Sequence, residues 1–376
     1  MKAYIVDAVR SPIGRKNGTL AALRGDDLGA QVLNALVARN ELDPAAVEDV
    51  QMGCVTQIGE QGWNVGRMAV LAAGWPVSVA ATTVDRQCGS SMQTNFNAAA
   101  AVAAKQLDLV VSAGVEMMSR VPMGSNGGSL SHEVTARHEI VMQGTSAELL
   151  AKEWGISRDA QDAYALESHR RAVAAMDEGL FEREIVPIDL RDARFGVDEA
   201  ARRDTSLEKL AALAPAFQAD GTVTAGNASQ IVDGAAAVLI ASEDALTTHG
   251  LEPRARFVSF GLAGVDPTRM LHGNPEAIRK ALDRAGLTLA DIGVIEVNEA
   301  FAVVVLQTAA DLGLEERMDD VNPNGGGISL GHPLGATGAR ITATLLPELE
   351  RRGARYGVAS MCVGFGMAIA AVVERL

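Results

Sequence analysis

The chain is poor in cysteine, in aromatic residues and in positive charge. Its 376 residues include three cysteines, an aromatic share of 4% and a formal net charge of −14. Cys54, Cys88 and Cys362 lie far apart and form no Cys-x-x-Cys pair, which argues against a disulfide framework and is typical of a reducing compartment. The acidic balance argues against nucleic acid or an anionic membrane as a partner. A local basic patch could still bind an anionic substrate.

The sequence also lacks an uninterrupted apolar run long enough to span a membrane. Its first ten residues have the pattern of a strand rather than of a signal or transit peptide, and its last three form no peroxisomal signal. We therefore expect a soluble, cytoplasmic protein.

Alanine and glycine are abundant, and short apolar runs alternate with segments of helical pattern. This alternation predicts an α/β fold in which helices cover both faces of a sheet. The expected strands are residues 3–9, 50–55, 107–114, 235–241, 256–260, 292–297, 357–361 and 368–373. The main expected helices run from Asp26 or Asp27 to Arg39, from 274 to 286 and from 339 to 350. The two halves share this order of elements, so we expect a duplicated α/β core.

The stretch between the two regular regions has a different composition. It is first rich in glycine and serine and then highly charged, with one long helix expected over residues 157–178. It could be an inserted loop domain that lines a binding site, or a solvated decoration without function. We predict an N-terminal half formed by residues 1–118 and 220–248, an inserted loop domain over 119–219, and a C-terminal half over 249–376.

Cys88 is the first candidate for catalysis. It lies between an apolar run, residues 80–84, expected to end a buried strand, and a helix expected over residues 95–104. Gly89, Ser90 and Ser91 after it are small and allow close approach of a ligand. A thiol at a helix N-terminus ionises more easily, and the thiolate is a nucleophile. The alternative is a buried structural cysteine.

Three further polar residues follow apolar strands at turns or helix starts: Asn298, His332 and Cys362. In open α/β sheets, ligands gather outside the carboxyl ends of the strands. Taken singly, Asn298 could be a helix N-cap, His332 a satisfied polar turn residue and Cys362 a small core residue. Together with Cys88 they are better explained as one site.

These four residues fit one kind of chemistry. One thiolate attacks a carbonyl, and a histidine removes or orients a proton. A second cysteine can move a proton to or from carbon, since its ordinary pKa is near 8.5. Asparagine and backbone N–H groups can bind oxyanions. The combination indicates cleavage or formation of a carbon–carbon bond next to a thioester.

On several motifs the chain resembles the thiolases, which include acetyl-CoA acetyltransferases and 3-ketoacyl-CoA thiolases, over essentially its whole length. Those motifs are RQCGS at 86–90, AGVEMMSR at 113–120, GNAS at 226–229, DGA at 233–235, NEAFA at 298–302, NPNGG at 322–326, GHPLGATGAR at 331–340 and CVG at 362–364. The resemblance implies two similar α/β halves in a five-layered α-β-α-β-α core with an inserted loop domain.

The resemblance also implies roles for the catalytic residues. Cys88 would carry the acyl group, and His332 would activate it. His332, with a water held by Asn298, would bind the thioester oxygen of the acetyl-CoA unit. Cys362 would be the acid and base on carbon, and the N–H groups of Cys88 and Gly364 would bind the oxyanion of the transferred acyl group.

Six further residues match family positions that contact coenzyme A or the acyl group: Met142, Arg202, Phe217, Ala225, Ser229 and Phe301. Arg202 aligns poorly and could be an ordinary surface arginine. Coenzyme A would be a substrate, and no metal or redox cofactor is implied. A homodimer or homotetramer is expected by analogy.

The chain departs from the family pattern at four places. Ser91 and Phe365 replace glycines, Val141 stands where biosynthetic enzymes often have histidine, and residues 270–275 differ from the usual Gly-Pro-rich form. These departures concern substrate specificity rather than the chemistry.

We expect a degradative 3-ketoacyl-CoA thiolase of fatty-acid or steroid side-chain breakdown. Three alternatives stay open: a biosynthetic enzyme that condenses two acetyl-CoA units, a non-catalytic acyl-CoA-binding protein on the same fold, and a decarboxylating ketoacyl synthase. The last usually pairs its cysteine with two histidines or with His and Asn, and it lacks the Cys-x-Gly segment.

Overall fold

The computed structural model describes residues 2–376. The strands are β1 (Tyr4–Arg10), β2 (Gly14–Arg15), β3 (Asp49–Gly53), β4 (Ala80–Val84), β5 (Leu109–Met117), β6 (Ile188–Asp189), β7 (Arg194–Phe195), β8 (Val232–Ala241), β9 (Ala255–Gly264), β10 (Ile292–Val297), β11 (Tyr356–Val363) and β12 (Met367–Arg375). The helices are α1 (Gly25–Arg39), α2 (Val65–Ala72), α3 (Ser90–Ala103), α4 (His132–Thr135), α5 (Gln143–Glu153), α6 (Arg158–Asp177), α7 (Leu207–Ala211), α8 (Glu243–His249), α9 (Asn274–Ala285), α10 (Ala302–Leu312) and α11 (Thr337–Arg352).

The two halves of the chain use the same strand pairing. In the first half, β3 runs parallel to β5, β5 antiparallel to β8, and β8 antiparallel to β1. In the second half, β10 runs parallel to β11, β11 antiparallel to β12, and β12 antiparallel to β9. A short β1–β9 pairing connects the two sheets. The duplication expected from the sequence is therefore present in the pairing itself.

Five layers stack through the molecule. Helices α1 and α2 cover the outer face of the first sheet, α9 and α10 cover that of the second, and α3 and α11 pack against each other between the sheets. The central helices are the most enclosed, and α11 is buried along nearly its whole length. This confirms the α-β-α-β-α core, and it places both central helices with their N-termini beside the candidate catalytic residues.

The chain between β5 and β8 is tied to the first sheet by a buried ion cluster. Arg10 of β1 donates to Glu184 over 2.5 Å and makes two hydrogen bonds to Asp198, of 2.7 and 2.9 Å, and all three side chains are buried. Helix α6 agrees with its prediction, since Ser157 caps it and Gly179 follows it. The domain boundaries proposed from the sequence stay a prediction, and their first residue lies outside the described range.

Some local expectations were wrong. Strand β4 is an edge strand that pairs only with β3, so it is largely exposed rather than buried. Asp26 and Asp27 lie in the first turn of α1 instead of capping it. Asn298 is not an N-cap, because α10 starts four residues later. Within residues 2–376, every helix is too short or too polar to cross a membrane.

Candidate active site

Cys88 lies on the loop between β4 and α3, two residues before the helix starts. Gly89 occupies the cap position, and the backbone N–H groups of Cys88 and Gly364 lie near enough to the Cys88 sulfur to lower the pKa of its thiol. An apolar cluster of Val55, Met118 and Leu334 packs against the side chain, which is half-buried. Two N–H donors that converge on one sulfur can equally bind an oxygen of a group attached to it.

The resting state of this cysteine differs from the expectation of an easily ionised thiol. Burial raises the pKa of Cys88 to about 12, and the charges of Glu116 and Asp85 act in the same direction, while the two N–H groups oppose them only partly. Removal from water disfavours a charged sulfur more strongly than the helix N-terminus favours it. Cys88 is therefore a neutral thiol at rest, and it needs a base to react.

His332 has the protonation state that such a base requires. Burial, together with the positive charge of Arg340, lowers the pKa of His332 to about 3, so the imidazole is neutral. The Thr337 hydroxyl lies 2.6 Å from Nδ1 and donates to the Pro333 carbonyl over 2.9 Å. Because the hydroxyl proton is used there, Thr337 Oγ1 accepts from Nδ1–H, and Nε2 is left unprotonated. Leu334, two residues after His332, contacts Cys88.

Asn298 and Cys362 lie on neighbouring strand ends of the second sheet. The Asn298 side-chain amide donates to His332 Nε2 over 3.3 Å, and the Asn298 backbone N–H donates to Ser360, two residues before Cys362. Within residues 2–376, the buried Asn298 Oδ1 has no hydrogen-bond partner. Such an oxygen can hold a water molecule. Asn298 is thus placed between the histidine and the second cysteine.

Cys362 is fully buried near the end of β11, where it pairs with Ala368 of β12. It lies inside the strand rather than at the turn after it. Burial raises the pKa of the Cys362 thiol, and a negative charge on Cys88 raises it further. At rest Cys362 is also a thiol, the form that donates a proton.

Two buried glutamates that sequence reasoning missed fix the surrounding loops. Glu116 of β5 accepts hydrogen bonds from the backbone of Val55, Thr56 and Gly335, at 2.9, 3.0 and 2.9 Å. Glu299 accepts from Tyr164 and Ser168 of α6, both at 2.7 Å. Both glutamates belong to motifs named above, but their partners lie more than 50 residues away and only the fold shows them.

Ser91 also has a structural partner. Its hydroxyl accepts from the backbone N–H of Ala339 over 2.9 Å, in the first turn of α11. The hydroxyl is therefore used between the two central helices rather than at the nucleophile.

A cleft of about 180 Å³ lies beside this site and contains two of the predicted coenzyme A residues, Arg202 and Ala225. Lys209, which the sequence did not single out, also lies in the cleft wall, where it forms a 2.7 Å ion pair with Asp204 of the same wall. The segment 225–230 leads from the cleft towards the catalytic residues: Ser229 N–H donates to the Ala300 carbonyl over 2.9 Å, and His332 N–H donates to the Gln230 carbonyl over 3.2 Å.

The remaining predicted contacts form an apolar path to Cys362. The rings of Phe217 and Phe301 meet edge to face with centroids 6.1 Å apart, and Phe301 packs in the same cluster as Cys362. Phe217 lies over Gly144, where a Cβ would be 2.2 Å from the ring. Met142, two residues earlier at the start of α5, is 68% exposed and lies at the outer end of this path.

Comparisons with known proteins agree along the whole chain. The thiolase N-terminal domain family matches residues 3–244, and the thiolase C-terminal domain family matches residues 251–375. A 3-ketoacyl-CoA thiolase of Erwinia tasmaniensis is 48% identical, with all of both chains covered. A steroid 3-ketoacyl-CoA thiolase of Mycobacterium tuberculosis is 44% identical over all of this chain and 94% of its own. The crystal structure of a Bacillus anthracis acetyl-CoA acetyltransferase superposes with a TM-score of 0.92 at 41% identity, covering 100% of this chain and 99% of the other.

Proposed function

Since this chain belongs to the thiolase family, we propose that it is a degradative thiolase, which cleaves a 3-ketoacyl-CoA with coenzyme A to acetyl-CoA and a shortened acyl-CoA. The chain is an acyltransferase enzyme. The observation that carries the assignment of roles is the hydrogen bond from the Asn298 amide to the neutral His332, beside the strand end that holds Cys362 and the apolar cluster that packs on Cys88.

The first half of the reaction forms an acyl enzyme. His332 Nε2 takes the proton of Cys88, and the sulfur attacks the 3-keto carbon of the substrate. The N–H groups of Cys88 and Gly364 bind the resulting oxyanion. The carbon–carbon bond then breaks, and its electrons pass to the acetyl-CoA enolate. Protonated His332 and a water on Asn298 hold the enolate oxygen, and Cys362 gives its proton to the enolate carbon.

The second half returns the enzyme to its starting state. The Cys362 thiolate removes the proton of the coenzyme A thiol, which attacks the thioester on Cys88. The shortened acyl-CoA leaves, and the Cys88 sulfur regains its proton from His332. Every step is a proton or acyl transfer, so the proposed reaction requires no metal or redox cofactor.

The surrounding residues are proposed to bind coenzyme A. Arg202 supplies positive charge to the cleft for the phosphates of the nucleotide end, while the second cation, Lys209, is paired with Asp204. Ala225, Ser229 and Phe217 line the passage for the pantetheine, with Met142 at its outer end, and Phe301 faces the acyl side next to Cys362.

We further propose a homodimer that pairs to a homotetramer, located in the cytoplasm. Strand β4 is unpaired on its outer side, and the nearby Trp63 and Val77 are 89% and 79% exposed. An unpaired strand edge with exposed apolar neighbours is a site for pairing with a second chain. A reducing compartment suits an enzyme that depends on two free thiols.

Thiolysis rates on acetoacetyl-CoA and on longer 3-ketoacyl-CoA esters test the proposed direction. Turnover of longer esters supports it, and turnover of acetoacetyl-CoA alone would instead favour the biosynthetic alternative, which the name of the Bacillus anthracis relative also suggests. Turnover of a steroid side-chain thioester would match the name of the mycobacterial relative.

Mass spectrometry after brief exposure to acyl-CoA tests the chemistry. We expect one acyl group on Cys88, its loss in Cys88→Ala, and its retention in Cys54→Ala, where a buried cysteine outside the proposed mechanism is changed. No adduct and no turnover with any thioester would favour a non-catalytic acyl-CoA-binding protein.

A further inference from the structure

Phe365 occupies an unfavourable backbone conformation next to the nucleophile. It is the middle residue of the turn Gly364-Phe365-Gly366 between β11 and β12, and its φ of 65° lies in the left-handed region. Gly366, with φ of 80°, adopts this region freely, but a bulky residue with a Cβ does so only at a cost.

The ring gains little from packing that would offset this cost. Phe365 is 48% exposed, and among the described residues no hydrophobic cluster includes its side chain. Since an exposed phenylalanine in a strained turn does not stabilise the fold, a contact made with a ligand is the better explanation of its presence.

The turn is held against both sides of the acyl site. The Gly364 N–H lies near enough to Cys88 to lower the pKa of its thiol, and a Cβ on Gly364 would lie 3.6 Å from the Gln87 side chain. On the other side, Val265 donates to the Gly366 carbonyl over 2.8 Å, and a Cβ on Gly366 would meet that residue's backbone at 2.5 Å. The turn therefore has little freedom to swing away from the sulfur.

The segment behind the turn lines the same region. After Val265 the chain runs to Met270 and Leu271, which pack in one cluster with Phe301 and Cys362. An acyl chain attached to Cys88 thus meets apolar residues on its inner side, and the exposed Phe365 ring lies one residue from the oxyanion donor on its outer side.

We propose that Phe365 is a specificity residue whose ring forms the outer wall of the acyl site and contacts large apolar acyl groups. This inference rests on the proposed function, since it concerns the 3-ketoacyl-CoA that the enzyme cleaves. Acetoacetyl-CoA transfers only an acetyl group, which is too short to cover the ring, whereas 3-ketodecanoyl-CoA transfers an eight-carbon group that reaches past it.

The test compares kcat/KM for 3-ketodecanoyl-CoA with kcat/KM for acetoacetyl-CoA. Covering roughly 60 Å² of ring at ~25 cal/mol per Å² corresponds to about a tenfold preference. We expect this ratio to fall about tenfold in Phe365→Ala and Phe365→Gly, because both remove the ring, and to fall less than about threefold in Phe365→Leu, which keeps apolar bulk.

Lys105→Gly is the matched control for backbone strain. Lys105 is exposed, has φ of 56° and lies just after α3, outside the proposed site. Like Phe365→Gly it should raise the melting temperature, because glycine relieves the left-handed strain, but it should leave the substrate ratio unchanged.

The possible failures can be distinguished. A ratio in Phe365→Ala within about twofold of wild type would overturn the inference while leaving the proposed function intact. A normal ratio in Phe365→Gly with a low ratio in Phe365→Ala would overturn it too, since the backbone and not the ring would then be responsible. Absence of 3-ketodecanoyl-CoA turnover by the wild-type protein would contradict the degradative proposal and this inference together.

Discussion

Replacing Thr337 with valine tests the hydrogen bond that fixes the tautomer of His332. Valine has nearly the shape of threonine but cannot accept the Nδ1–H bond, which is 2.6 Å long in a fully buried setting. In the variant, His332 either keeps its proton on Nδ1 without a partner or moves it to Nε2. The second form cannot take the proton of Cys88.

The size of the effect follows from burial. A buried donor left without a partner costs about 1–3 kcal/mol, and this cost applies only to the tautomer that acts as a base. At about 1.4 kcal/mol per factor of ten, kcat/KM for thiolysis should fall roughly 5- to 150-fold. The KM for coenzyme A should change little, because Thr337 lies outside the cleft that holds Arg202 and Ala225.

The assay is the initial rate of 3-ketoacyl-CoA loss at several coenzyme A concentrations. Thr308→Val is the matched control, since Thr308 is equally buried in α10 and its hydroxyl also donates to the carbonyl four residues earlier, but it contacts no histidine. Thr337→Ser keeps the hydroxyl and should recover most of the rate. A Thr337→Val protein as active as Thr308→Val would refute the reasoning.

Three further predictions concern charge. The rate of Cys88 alkylation by iodoacetamide should rise about tenfold per pH unit without a plateau below pH 8.5, because burial raises the pKa of its thiol to about 12. A plateau near pH 6 would instead show that Cys88 rests as a thiolate in an ion pair. Glu116→Gln should lower the free energy of unfolding, measured in urea, by about 1–3 kcal/mol, because an amide cannot accept every hydrogen bond that the carboxylate accepts. The control Glu315→Gln, on the exposed surface, should leave the free energy of unfolding unchanged. Arg10→Met should leave the buried Glu184 and Asp198 without their cation and destabilise the fold by about 3–5 kcal/mol. Limited proteolysis should then cut within residues 119–219, whereas an uncut and equally stable variant would contradict this role.

Elements with strong local signals could be predicted from the sequence. Strand β10 has the predicted bounds, and α6 begins after the Ser157 cap and ends before Gly179, because caps and apolar periodicity act over a few residues. Strand β4 was placed correctly but was wrongly expected to be buried, because a single strand does not show which of its neighbours are present. The alternative of Asn298 as a helix N-cap was wrong because residues 298–301 bind distant parts of the chain instead of forming a first turn of α10.

The candidate site likewise has features that the sequence predicts and features that only the fold shows. The positions of Cys88, His332, Asn298 and Cys362 followed from strand ends and motifs, and the structure brings all four together. Their roles stay predictions. The resting charge of Cys88 could not be predicted, because the helix N-terminus is visible in the sequence while the packing of Val55 and the charge of Glu116 are not.

In the proposed reaction, the charge on Cys88 would set when Cys362 acts as an acid and when it acts as a base. While Cys88 carries a negative charge, that charge raises the pKa of Cys362, which therefore stays protonated and is ready to protonate the enolate. Acylation turns the Cys88 sulfur into a neutral thioester, and the repulsion disappears. Cys362 can then remain as a thiolate long enough to accept the proton of coenzyme A. Under this proposal, one pair of sulfurs would supply first a nucleophile and an acid and then an ester and a base, with at most one sulfur charged at each stage.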